Sequence, residues 1–208
     1  MAEIPGFVAD PVIADHADSP LAGHYVRGDF YVSGKAEPEV VLAERFGLAI
    51  AEVAAWRGAE AKMRTAIKSA TGMALEAEPG SGACTDTACA FGIGPGRWLV
   101  SGQRPGLFAA LAQASGDHGT VTDLSHGRTV VRIDGERSRR VLAKLFAVNL
   151  ADEALGIGSG LATAHHDIHA QIQRVGPTAF DIYVFRSFAR SFWHLLRRSA
   201  EEVGYRVD

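Results

Sequence analysis

The stretch Gly119 to Leu150, GTVTDLSHGRTVVRIDGERSRRVLAKLFAVNL, places a strand signal, a turn and an amphipathic helix in immediate succession. Thr129, Val131 and Ile133 alternate with Val130, Arg132 and Asp134 in a run rich in β-branched residues. The run therefore reads as a strand, and Asp134-Gly135 ends it. In the helix that follows, Val141, Leu142, Leu145 and Phe146 stack on one face, while Arg137, Arg139, Arg140 and Lys144 reach water.

Outward from this point the same order of elements occurs twice. LAIAEVAAW, from Leu48, reads as a strand. Gly58 to Thr71 reads as a helix with Ala61, Met63, Ala66, Ile67 and Ala70 as its apolar side, stopped by Gly72. Leu75 to Thr85 is loop-like. Ala88–Ile93 and Arg97–Ser101 form a hairpin about Gly94-Pro95-Gly96, and Pro105 opens a short helix. In the second half the order is strand 121–134, helix 136–147, strand 161–175, a turn at Gly176-Pro177, strand 179–185 and helix 187–203. Ser187 is the expected N-cap of that last helix, and Phe188, Phe192, Leu195, Leu196, Ala200 and Val203 form its apolar stripe.

The expected fold class is therefore α+β, with two similar β-α-β-β-α modules over residues 47–117 and 118–208. Neither is large enough to cover both faces of its own sheet, so the two pack as one unit. Residues 1–46 carry Pro5, Pro11, Pro20 and Pro38 and read as an extended N-terminal arm. The segment from Leu21 to Val32 is too aromatic for a free tail, so it either docks, on this chain or on a partner, or packs locally.

Composition narrows the function. The chain has 208 residues, 47% apolar and 22% charged, with a formal net charge of −3, which fits a soluble protein and offers no basic surface for nucleic acid. No apolar run of about 18 residues could span a bilayer, and the N-terminus lacks the pattern of a secretory signal. The expected location is the cytoplasm. There the two cysteines, Cys84 and Cys89, are expected as free thiols rather than a bridge or a zinc site.

Candidate chemistry is judged on spacing. His165, His166, Asp167 and His169 gather three imidazoles, but a strand would turn His166 away from the others, and no zinc-protease pattern is present. Asp123, Ser125 and His126 have the residue types of a hydrolytic triad. They lie too close in one run to converge on a carbonyl, and no GxSxG exists. The glycine-rich pieces Gly92–Gly96 and Gly156–Gly160 lead into strands, whereas a dinucleotide cradle opens a helix. The aromatic cluster Phe180, Tyr183, Phe185, Phe188, Phe192 and Trp193 reads as core. No residue is assigned a catalytic, cofactor-binding or metal-binding role.

Two blocks carry a resemblance. Thr122-Asp-Leu-Ser-His-Gly-Arg128 leads into Val130-Val-Arg-Ile-Asp-Gly135, and Phe180-Asp-Ile-Tyr-Val-Phe-Arg-Ser-Phe-Ala189 precedes Trp193. From about Leu48 to Tyr205 the sequence resembles the gamma subunits of heterotetrameric sarcosine oxidases, within the folate-binding fold of the glycine-cleavage T protein. The resemblance implies a non-catalytic subunit of an oxidoreductase complex that demethylates sarcosine or a related small N-methyl amine. It also implies alpha, beta and delta partners, most directly the large alpha subunit, with FAD, FMN, NAD, tetrahydrofolate and zinc held by those other subunits. The alternative is a stand-alone tetrahydrofolate-binding protein of the T-protein class. The chain departs from the family pattern at Phe185, where proline is expected before Arg186.

Overall fold

The computed structural model describes residues 19–30 and 37–208. Of the expected N-terminal arm, residues 1–18 and 31–36 thus lie outside the described residues. Two antiparallel-rich sheets form the centre of the molecule. The smaller contains β3 (Ala49–Ala55), β4 (Gly82–Cys84), β5 (Ala88–Gly94), β6 (Arg97–Gly102) and β7 (Gly119–Asp123), in the order β4-β5-β6-β3-β7. The larger is ordered β1-β12-β2-β8-β11-β10-β9. Its members are β1 (Gly28–Phe30), β2 (Val40–Glu44), β8 (Arg128–Asp134), β9 (Gly160–His165), β10 (Ile168–Arg174), β11 (Phe180–Phe185) and β12 (Tyr205–Val207).

Helices cover the outer face of each sheet. Met63, Ala66 and Ile67 of α1 (Glu60–Thr71) and Leu107 and Leu111 of α2 (Leu107–Ser115) pack on Ala51, Val53, Ala90 and Val100 of the smaller sheet. On the larger sheet, Val141 and Leu142 of α3 (Ser138–Ala143) join Phe192, Trp193 and Leu196 of α4 (Ala189–Ala200) over Val131, Ile133, Phe180 and Ile182. The inner faces meet through Leu48, Ile50, Phe91, Leu99, Val130 and Tyr183. The layering is helices, sheet, sheet, helices, which covers both faces of central strands such as β6 and β11.

Several local expectations hold. Gly72 ends α1 in the left-handed region at φ 79°, its N–H donating to the Lys68 carbonyl at 2.7 Å. The 94–96 turn joins β5 to β6, and 180–185 is a strand. Other expectations are corrected. The strand expected at 121–134 is two strands, broken by a turn at 124–127, and that expected at 161–175 is a hairpin turning at His166-Asp167. Ser187 caps no helix, because 186–188 form a 3₁₀ turn that runs into α4. Pro105 sits in the turn before α2 rather than in its first position.

The sheets also cut across the boundaries expected at 46/47 and 117/118. Val40–Glu44, assigned to the arm, is an interior strand of the larger sheet between β12 and β8. β7, assigned to the second half, pairs with β3 of the smaller sheet. Both exchanges follow from burial, since Val40 and Leu42 belong to the larger core and Val121 packs on the smaller one. Part of the arm docks on this same chain: Leu21 is fully buried, Tyr25 stacks on Trp193 at 5.3 Å, and the Trp193 indole N–H donates to the His24 carbonyl at 3.1 Å.

Where β9 crosses the edge hairpin of the smaller sheet, glycines let backbones and a ring approach. A Cβ on Gly160 would stand 2.2 Å from Phe91 Cδ2, and one on Gly82 would stand 2.2 Å from the Gly158 carbonyl oxygen. The Gly160 N–H donates across the joint to the Gly80 carbonyl at 2.8 Å. Gly160→Ala is therefore expected to displace the buried Phe91 ring and destabilise the chain by about 1–3 kcal/mol in denaturant unfolding. Gly156→Ala, whose Cβ would meet nothing nearer than Ser159 Oγ at 3.9 Å, is expected to shift the midpoint little.

Candidate functional site

Strand register explains what the two diagnostic blocks do. β8 and β11 are antiparallel neighbours in which Arg132 faces Asp181, Val130 faces Tyr183 and Arg128 faces Phe185. These residues line the inner face of the larger sheet, because their alternates Val131, Ile133, Ile182 and Val184 belong to the outer core. Arg132 donates from Nε and a terminal nitrogen to the two Asp181 carboxylate oxygens at 2.7 and 2.8 Å. Asp181 is buried, and its hydrogen bonds hold the Arg132 guanidinium pKa above the ordinary value.

Next to this pair a buried polar chain joins the sheets. Ser101 Oγ of β6 lies 2.8 Å from the Tyr183 hydroxyl, which donates to Gln173 Oε1 at 3.3 Å. The Gln173 amide donates to the Gly158 carbonyl at 2.8 Å and to the Ala90 carbonyl at 3.3 Å. Burial pushes the Tyr183 pKa far above its ordinary value of 10.0, opposed in part by the Ser101 hydrogen bond. The phenol is thus fixed as a neutral hydrogen-bonding group.

At the mouth of the sandwich, a polar cavity of about 320 Å³ is lined by Arg45, Cys84, Cys89, Gln103, Arg132 and Asp181, among others. Cys84 and Cys89 are joined as a disulfide, which corrects the free-thiol expectation. The reason is register: 82–84, loop-like in sequence, forms β4, and its pairing with β5 sets Cys84 opposite Cys89 with Cα atoms 4.1 Å apart.

The Asp123-Leu-Ser-His motif is a structural lock. The Asp123 carboxylate accepts from the Ser125 N–H at 2.9 Å and from its hydroxyl at 2.6 Å, closing an Asx turn. Ser125 Oγ in turn accepts the Ile50 N–H at 3.0 Å, tying the turn to the start of β3. His126 is exposed on this turn. His165 places Nδ1 2.8 Å from the Leu145 carbonyl, while His166 takes the left-handed region at φ 50° in the hairpin turn. Among the described residues no three His, Cys, Asp or Glu side chains gather as a metal site. Gly156–Gly160 is a turn feeding β9, with Gly158 at φ 89°.

Sequence reasoning misses the inter-sheet groups. Tyr183 reads as an ordinary core aromatic, and Ser101, Gln173 and Arg132 draw no attention. The available signal is the recurrence of polar residues at alternate positions on strands that also carry apolar ones, which on covered strands requires partners across the sandwich.

The class is defined by the fold. The structure is similar to that of the glycine cleavage system aminomethyltransferase T from Bartonella henselae, with a TM-score of 0.58 at 18% identity over 80% of this chain and 48% of that one. At that identity the likeness shows the fold alone. The chain also matches the heterotetrameric sarcosine oxidase from Corynebacterium sp. U-96 in complex with pyrrole 2-carboxylate. There the TM-score is 0.75 at 25% identity, over 88% of this chain and 94% of that one. A sarcosine oxidase subunit gamma from Corynebacterium sp. (strain U-96) is 30% identical over 135 residues, spanning 63% of this chain and 65% of that relative. Residues 57–202 match the sarcosine oxidase, gamma subunit family, and this chain belongs to that family.

Tyr183→Phe is expected to leave Gln173 Oε1 without its donor and to lower stability by about 1–3 kcal/mol in chemical denaturation. A phenol whose folded pKa is raised contributes stability that is whole below pH 10.0 and lost as pH climbs beyond it. In an alkaline titration followed by phenolate absorbance, one tyrosine of the wild type should therefore ionise only with unfolding. That late component should vanish in Tyr183→Phe.

Proposed function

We propose that this chain is the gamma-type subunit of a sarcosine oxidase-like heterotetramer that oxidatively demethylates sarcosine or a related small N-methyl amine. The observation that carries this reading is the family match over residues 57–202. Within the complex its role is structural and assembly-directed, without an active site of its own. Consistent with that role, a carboxylate from each of the two diagnostic blocks is engaged within this chain: Asp123 holds Ser125, and Asp181 holds Arg132. The alpha, beta and delta subunits are its partners, alpha most directly, and FAD, FMN, NAD, tetrahydrofolate and zinc belong to those subunits. Its location is the cytoplasm. Among the described residues no helix is long and apolar enough to cross a membrane.

The reading extends to the fold's internal organisation, as two like modules. The smaller sheet runs β4-β5-β6-β3-β7 and the larger runs β9-β10-β11-β8 before β2, β12 and β1. Strands equivalent in chain order thus take equivalent places, with β2 inserted, which supports two copies of one plan. The stand-alone tetrahydrofolate-binding reading is not favoured, since the family match is to gamma subunits.

Affinity purification of the tagged chain from its native host is expected to recover large flavin-containing partners in fixed proportion, seen by visible absorbance and mass spectrometry. Recovery of the chain alone as a monomer would overturn the subunit reading.

A further inference from the structure

The inner face of β8 and β11 carries two arginines with different fates. Arg132 meets the carboxylate of Asp181 within this chain. Two rungs along, Arg128 meets Phe185 instead, and its guanidinium carbon lies 3.7 Å above the ring centroid. Arg128 Nε is shielded from water yet has no hydrogen-bond acceptor. Burial lowers the Arg128 pKa, with only Glu52 pulling the other way. The Glu52 carboxylate is engaged by Arg97, whose Nε and terminal nitrogen reach it at 3.0 and 2.6 Å. Among the described residues no carboxylate ion-pairs with Arg128. The Nε is covered by the fold itself, so it is the terminal nitrogens of this half-buried guanidinium, which donate to no described residue, that a carboxylate arriving from outside would satisfy.

We propose that Arg128 and Phe185 form an anchor for an acidic side chain of a partner subunit, a proposal that rests on the subunit reading above. The carboxylate accepts from the guanidinium edge, and the ring of Phe185, 39% exposed, supplies the apolar collar that keeps water out. The anchor is pre-organised. The Leu124 carbonyl accepts the Gly127 and Arg128 N–H groups at 2.9 and 3.1 Å, and the Gly127 carbonyl accepts the Arg186 N–H at 3.0 Å. The Asp123–Ser125 lock thereby sets the backbone on which Arg128 stands. The two diagnostic blocks meet at this one spot through the pairing of Arg128 with Phe185, and Phe185 is the residue that departs from the expected proline.

The test uses the tagged chain co-expressed with the other subunits of its host's complex, with flavin recovered per tagged chain and the Kd for assembly both measured. Arg128→Ala and Phe185→Leu are each expected to weaken assembly about tenfold or more, while thermal unfolding of the isolated chain changes little. Arg128→Lys keeps the charge but loses the planar fork, so an intermediate loss is expected. Added salt should weaken wild-type assembly more than that of Arg128→Ala. Lys62→Ala, on the far side of α1, should assemble as the wild type does. If Arg128→Ala does not fold, Arg128→Lys and Phe185→Leu decide the matter. Wild-type affinity in the folded variants overturns the anchor and leaves the subunit reading standing. Loss of self-association without loss of partner capture also overturns it, in favour of a second copy of this chain. Capture of nothing by the wild type overturns both readings.

Discussion

The hydrogen-bond chain from Ser101 through Tyr183 to Gln173 is the constraint on which the architecture depends. Each of its members would be a penalty alone, because a buried hydroxyl or amide left without a partner costs more than a satisfied one returns. Together they satisfy one another only when β6 of the smaller sheet lies at one relative position against β10 and β11 of the larger. Apolar contacts among Leu48, Ile50, Phe91, Leu99 and Val130 favour closing the sandwich, but they tolerate sliding. The polar chain does not, so it sets register between layers that share no backbone ladder.

That register has consequences at both ends of the sandwich. At one end it brings Arg132, Asp181 and Arg45 against the Cys84–Cys89 hairpin and encloses a polar cavity. At the other it leaves Arg128 stacked on Phe185 at the protein surface. The glycine joint at 80, 82, 158 and 160 serves the same placement from the side, since it admits the Phe91 ring where any side chain would collide. A surface pre-formed by such rigidity loses little entropy on any assembly.

Local signals are legible where local physics decides. The β-branched alternation from Thr129 to Ile133, the stop at Gly72, the turn at 94–96 and the stripe from Phe188 to Ala200 depend on neighbours a few residues away. The family blocks are legible as well, although their purpose is not. Asp123 and Ser125 have the residue types of chemistry in the sequence and spacing argues against it, while only distances show that the Asp123 carboxylate is taken by Ser125 and the Asp181 carboxylate by Arg132. Cys84 and Cys89 mislead for a related reason: a three-residue strand such as β4 carries too little pattern to be seen, so their cross-strand opposition is invisible in sequence.

By itself, then, the sequence determined the main helices, the longer strands such as Arg128–Asp134 and Phe180–Phe185, the α+β class and the family, because hydrophobic period, turn residues and motif spacing are properties of the chain read locally. The tertiary structure alone decided which strands share a sheet, moving β2 into the larger and keeping β7 in the smaller. It also decided that the polar alternates of β6, β8, β10 and β11 face each other rather than water. Strand pairing and sheet stacking are settled by contacts between residues far apart in sequence, whose energies do not exist until the layers close. Gly119 to Leu150 shows both halves of that division: its strand and helix are plain, while the break at 124–127 depends on Ser125 finding Ile50.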